Sequence, residues 1–317
     1  MAGTPKFLHQ LPIFAELVDQ LAQSLNVNSY LIEKDYWLMH CLWGLQQQGW
    51  KFELKGGTSL SKGHAIIERF SEDIDIRFEP PADHALKTGK NHDKPAHVAA
   101  RKDYFAWLAG NIQIPGLIGV TRATDFDDTS YRNGGIVLNY PSVTQPLPGV
   151  KDGILLEVGF DLTAPNAPRT IGSWAMDAAL KAGLAVIDNR AVDVPCYALG
   201  YTLVEKLQTV STKYRKQQET GNFAKNFLRH YYDIYCLLEQ AEVQAFIGNT
   251  AYHAHKQLRF PKADNQHIAS NEAFLLSDPA VRTLYERKYR ETAALYYAGQ
   301  VPFATIFDRI AQYRDRL

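Results

Sequence analysis

Apolar residues return at helical spacing over 11–25, through Ile13, Phe14, Leu17 and Leu21. They do so again over 30–45, through Leu31, Tyr36, Trp37, Leu38, Cys41, Leu42 and Leu45. Two helices are predicted there. Asn28 and Ser29 precede the second, and Ser29, directly before the first periodic residue, is the better cap candidate. Glu33, Lys34 and Asp35 read either as a solvated helix start, with Tyr36 and Trp37 packing below, or as residues with a catalytic use, and the sequence does not decide between them. The period then changes. Phe52, Glu53, Leu54 and Lys55 end a strand, and Gly56-Gly57 permits a tight turn at positive φ or a close approach by a ligand. Thr58 is placed to cap a short helix, whose first amides would form an anion site. Beyond it, Ile74 and Ile76 alternate with Asp73 and Asp75, so both carboxylates share one face of a strand.

Glu79-Pro80-Pro81 ends that strand, because proline cannot donate to a ladder. A polar stretch follows over 83–102, with Lys87, Lys90, Lys94, Arg101 and Lys102, and reads as a surface insertion running into a helix over 95–108. Three β-rich runs, 117–122, 135–140 and 154–160, are separated by polar or glycine clusters and predict an antiparallel meander. In the third run Leu156, Val158 and Phe160 share one face, while Glu157, Gly159 and Asp161 share the other. Past Pro195 the pattern turns helical, over 199–217, 223–240, 242–246, 279–297 and 301–313. The expected division is a first domain over 1–195 and a helical second domain over 196–317.

Composition adds limits. The 317 residues are 46% hydrophobic and 21% charged, which is ordinary for a globular chain of about two domains. Formal net charge is zero, so any nucleic-acid contact must come from a local patch. One such patch is Lys206, Lys213, Arg215, Lys216, Lys225, Arg229 and His230, set against Glu205, Glu219 and Asp233 alone. The cysteines, Cys41, Cys196 and Cys236, are scattered in apolar sequence and read as core residues of a reducing cytoplasm. The histidines show no metal-ligand spacing, and His253 and His255 read as solvated. No signal peptide opens the chain and no apolar run nears the ~20 residues of a membrane span, so a cytoplasmic location is expected.

The sharpest chemistry lies between Lys55 and Phe78. Two like charges roughly 5 Å apart, at an effective dielectric of about 20, repel by about 3 kcal/mol. Solvent, protonation of one group, or a divalent cation between them relieves this. A solvated edge strand beside a glycine turn is the plain alternative. A phosphate cradle followed by an Asp-x-Asp clamp is instead the equipment for moving nucleoside phosphates on Mg²⁺ or Mn²⁺.

Gly56-Gly57-Thr58-Ser59, followed by Arg69-Phe-Ser-Glu and Asp73-Ile-Asp75, resembles the first motif of the AbiEii/AbiGii nucleotidyltransferase toxins, within the polymerase-β-like superfamily. Leu203-Val-Glu-Lys-Leu resembles a later motif, and Arg229-His-Tyr-Tyr-Asp233 the last. The resemblance implies an α+β fold: a polymerase-β-like nucleotidyltransferase mixed sheet with flanking helices, then a helical C-terminal domain, with the active site between them. It implies that Asp73 and Asp75 hold metal and that Glu157 is the third carboxylate or the base, with Asp161 second in line. Gly56, Gly57, Thr58 and Ser59 would receive the triphosphate, Lys206 would lie against it, and Asp233 would order the cleft. Arg229 and Asp233, four apart on a helix, could also pair. Function, by the same resemblance, is transfer of a nucleoside monophosphate from an NTP to RNA, with the tRNA acceptor end as one candidate. The chain would then be a toxin with a cognate antitoxin. Two rivals stand beside this: an enzyme of the same fold acting on a small-molecule or protein hydroxyl, and a non-catalytic nucleotide- or partner-binding module.

Overall fold

The computed structural model describes residues 4–84, 86–89 and 91–317; Lys90 of the polar stretch lies outside the described residues. The chain forms two compact units, residues 1–64 with 71–197, and residues 65–70 with 198–317.

The first unit is built on a mixed sheet. Its strands are β1 (Phe52–Lys55), β2 (Asp73–Phe78), β3 (Gly119–Ala123), β4 (Asn133–Asn139), β5 (Ile154–Gly159), β6 (Asn166–Ile171) and β7 (Ala191–Tyr197), in the order β3-β4-β5-β2-β1-β7-β6. The meander β3-β4-β5 is antiparallel. β5 then pairs parallel with β2, β2 antiparallel with β1, and β1 parallel with β7. Ile74 and Ile76 are fully buried, and the alternate residues of β2 are half-buried, as period two requires.

Helices α1 (Phe14–Leu25) and α2 (Ser29–Gln47) open the unit. Asn28, not Ser29, caps α2: its side chain accepts from the Tyr30 amide at 2.9 Å, and Ser29 is already helical. Every residue of α2 from Tyr30 to Leu42 is buried, which overturns the solvated helix start. A helix enclosed on all sides must partner each polar side chain. Glu33 accepts from the Val143 and Thr144 amides and from the Ser142 and Thr144 hydroxyls. Lys34 donates to the Lys151 carbonyl at 2.6 Å and the Gly153 carbonyl at 2.5 Å. Asp35 meets Lys62 at 2.6 Å and accepts from the Trp174 amide. Three further helices complete the unit: the single turn α3 (Gly56–Thr58), α4 (Pro95–Asn111) and α5 (Trp174–Lys181).

The second unit is helical: α6 (Leu199–Thr220), α7 (Arg229–Leu238), α8 (Ala241–Phe246), α9 (Thr250–Arg259), α10 (Glu272–Leu275), α11 (Pro279–Arg290) and α12 (Phe303–Tyr313). Its core is aromatic around Tyr231, whose ring meets Phe227, Tyr285, Phe303 and Phe307. The Tyr231 hydroxyl donates to the Ala273 carbonyl at 2.7 Å, so the ring's polar tip is satisfied inside the core. Segment 65–70 belongs to this unit. The Phe70 amide donates to the Leu295 carbonyl, the Glu68 amide to the Tyr232 hydroxyl, and Tyr297 to the Ile67 carbonyl.

Candidate nucleotidyl-transfer site

Parallel pairing of β2 with β5 sets Asp75 opposite Glu157 and Asp73 opposite Leu155. Residues opposite one another in a ladder point to the same face, so Asp73, Asp75 and Glu157 form one acidic group. Lys55 faces Asp75 from β1. Asp161 lies past the end of β5. Burial pushes the Glu157 carboxyl up to about 8, with Asp75 and Asp73 adding to the rise and Lys151 and Lys55 opposing it. Burial raises Asp73 too; Lys151 opposes and Asp75 adds to the shift.

The glycine turn closes on this group. Gly56 takes φ +70°, and a Cβ there would sit 2.0 Å from Asp75 Oδ2. Only glycine combines that backbone with that approach. Thr58 does not cap. It lies inside the helical segment, which starts at Gly56 and runs on as a π-helical turn over Ser59–Gly63. Its hydroxyl donates instead to the Asp73 carbonyl at 2.5 Å, tying the turn to β2. Gly57, Thr58 and Ser59 are all buried.

The donor set is three carboxylates, the hard oxygen ligands that suit Mg²⁺ or Mn²⁺; the Asp73 and Glu157 carboxyls are raised by burial first and by the neighbouring carboxylates second, and a divalent cation would offset both. The residues fit such an ion by chemistry. Their convergence is incomplete, since among the described residues no three His, Cys, Asp or Glu side chains are grouped closely enough to hold a metal. A cation of the chain's own is present: Lys151 Nζ lies 3.0 Å from Asp73 Oδ1.

Lys206 and Asp233 belong to the second unit. Arg69 grips Asp233 with two bonds, Nε to Oδ1 at 2.7 Å and Nη2 to Oδ2 at 2.8 Å, and Lys206 Nζ lies 2.8 Å from Oδ2. Burial alone would raise the Asp233 carboxyl; Arg69 and Lys206 outweigh it and hold the group well below the usual carboxylate range. Lys206 is therefore not a solvated helical lysine but a buried one. His230 lies 3.4 Å from Lys206 Nζ and 3.3 Å from Lys213 Nζ, and burial, then those two ammonium groups, keep it neutral.

The basic patch is smaller than the sequence suggests. Arg215 pairs with Asp264 at 2.6 Å and Glu219 at 3.0 Å, and Arg229 is buried. His255, expected in solvent, lies on α9 at 3.1 Å from Glu205. Sequence reasoning passes over Lys151 altogether, and it names Lys34 and Arg69 without their partners. A charged triplet inside an unbroken apolar run was a signal for Lys34; the partners of Arg69 and Lys151 left none.

The site is thus an Asp-x-Asp strand beside a glycine turn on a mixed sheet. The family described as nucleotidyl transferase AbiEii toxin, type IV toxin–antitoxin system, matches residues 38–309, and the chain belongs to it. Membership implies a nucleotide substrate and an antitoxin partner. Among solved structures, an antigenic nucleotidyltransferase-like protein from Paracoccidioides brasiliensis is 12% identical, covering 80% of this chain and 92% of that one, with a TM-score of 0.38. No curated protein matches the chain. Among the described residues no helix is long and apolar enough to cross a membrane.

Proposed function

We propose that this nucleotidyltransferase moves a nucleoside monophosphate from an NTP to a hydroxyl of RNA, the tRNA acceptor end being one candidate, and that Asp73, Asp75 and Glu157 are its metal-facing carboxylates. The observation that carries the reading is the in-register pairing of Asp75 with Glu157 beneath a glycine whose missing Cβ admits the Asp75 carboxylate. Bound Mg²⁺ or Mn²⁺ would supply charge neutralisation for the phosphates and for the departing pyrophosphate. Asp73 and Asp75 fix where that charge is delivered. The acceptor hydroxyl oxygen bonds to the α-phosphorus, the α–β bridging bond breaks, and pyrophosphate carries away the bonding pair. Glu157, whose carboxylate holds a proton more readily than usual, accepts the hydroxyl proton. The backbone of the Gly56–Thr58 turn receives the phosphates, and Lys206 is their proposed cationic contact. Lys206 Nζ is already held by Asp233, which fixes its position but lowers its free charge.

An RNA acceptor is favoured over a small one by Lys213, Lys216 and Lys225 on or after α6, although Arg215 is neutralised by its two acids. The test is to incubate the protein with total RNA and each NTP labelled in turn at the α- or the γ-phosphate. Alpha label appearing in RNA, and gamma label only in pyrophosphate, is expected. Alpha label entering small molecules or protein alone would move the acceptor out of RNA.

A further inference from the structure

The loop over 140–153 between β4 and β5 is held at both ends by one face of α2. Glu33 takes the amides of Val143 and Thr144 near its start, and Lys34 takes the carbonyls of Lys151 and Gly153 near its end. The Tyr30 hydroxyl adds a second bond to the Lys151 carbonyl at 3.0 Å, and the Lys151 amide donates to Glu72 at 3.2 Å. The loop backbone thus satisfies both a buried lysine and a buried glutamate. What the clamp fixes is the backbone of Lys151. Its side chain is then laid over the Phe126 ring, Nζ 4.5 Å from the centroid, and ends on Asp73 Oδ1. The backbone is anchored, whereas the ammonium rides on a four-carbon stem that can be redirected.

We propose that Lys151 is a substrate-contacting residue that guards the metal position: without nucleotide its ammonium occupies the Asp73 oxygen, and a triphosphate draws it away. The inference rests on the reading of Asp73 as a metal ligand. A divalent ion brought onto Asp73 would stand close to the Lys151 ammonium and be repelled by it, so Lys151 competes with an ion that arrives alone. A triphosphate offers Lys151 a more highly charged anionic partner a short swing away, and frees Asp73 at the moment the metal is wanted. Metal and nucleotide therefore enter together.

The test is equilibrium binding, with no turnover read. Mn²⁺ alone is titrated into wild type, Lys151→Met, Lys151→Arg and Asp73→Asn, following the free-ion paramagnetic resonance signal. The NTP that wild type binds most tightly is then titrated in excess Mn²⁺. Losing the ammonium removes a competitor and a charge-assisted phosphate contact, so Lys151→Met should bind Mn²⁺ about ten-fold more tightly and the NTP about ten-fold more weakly. Lys151→Arg should stay near wild type in both. Unchanged or weaker Mn²⁺ binding in Lys151→Met, with binding lost in Asp73→Asn, overturns the guard and leaves Asp73 a ligand. Unchanged NTP affinity overturns the phosphate contact. Mn²⁺ binding that survives Asp73→Asn overturns the ligand reading, and the guard with it.

Discussion

Replacing Glu157 with glutamine should stabilise the metal-free protein at alkaline pH. Glu157 stands opposite Asp75 on the parallel strand, half-buried, with Asp73 on the same face. Its carboxyl is raised from the ordinary glutamate value of 4.5 to about 8, by burial first and then by Asp75 and Asp73. The sign follows from linkage: a group whose folded pKa is raised favours folding most when protonated, below about pH 4.5, and that contribution is lost as pH rises through about 8. A shift of about 3.5 units at about 1.4 kcal/mol each sets a ceiling near 5 kcal/mol. The repulsion is shared among three carboxylates and offset by Lys151 and Lys55, so the expected gain at pH 8.5 is about 1–3 kcal/mol. Glutamine keeps the shape and removes the charge. Urea unfolding in EDTA at pH 5 and pH 8.5 measures it: wild type should lose stability between the two, and Glu157→Gln should lose much less. A variant that is less stable than wild type at pH 8.5, or no more stable there than at pH 5 relative to wild type, would refute the repulsion.

Other perturbations test the remaining parts. Asp233→Asn leaves Arg69 and Lys206 buried without their shared anion, and should cost about 3–5 kcal/mol in urea unfolding. Because Asp233 is held below the usual range, its contribution is complete above about pH 4 and is lost as pH falls below it, so wild type and variant should converge in acid. Gly56→Ala forces a Cβ into Asp75 Oδ2 at φ +70°, and should lower stability by about 1–3 kcal/mol and abolish transfer. Lys206→Ala leaves Asp233 its Arg69 fork, so calorimetric titration should show NTP affinity falling about ten-fold or more while the unit stays folded.

The two units differ in how far the sequence discloses their charged residues. Period two in 73–78 is enough to place Asp73 and Asp75 on one face, because a strand side chain has only two directions. The meander strands are legible for the same reason, as apolar runs between turn residues. β6 and β7 are not: β6 is mostly exposed and shows no alternation, and Pro168 and Pro195 stand opposite each other inside the pair. Proline argues against a strand, and here Pro195 sits in one flanked on both sides. The buried charges of α2 were misread because a charge defaults to solvent, and the groups that satisfy Glu33 and Lys34 lie more than a hundred residues on. Arg69 reaches Asp233 across 164 positions, and no periodicity encodes such a pair. The same long-range partnering shrinks the basic patch, where Asp264 arrives from 49 positions away to neutralise Arg215.

The central claim is that Asp73 and Asp75 serve nucleotidyl transfer. Its most direct measurement is pyrophosphate release from the four NTPs with total RNA and Mg²⁺, by wild type and by Asp75→Asn, each first shown to be folded by thermal melting. The account predicts steady release by wild type, loss of at least a hundred-fold in Asp75→Asn, and a metal-free melting temperature in the variant equal to or above wild type, since one repelling charge is gone. Release by Asp75→Asn at close to the wild-type rate would contradict it.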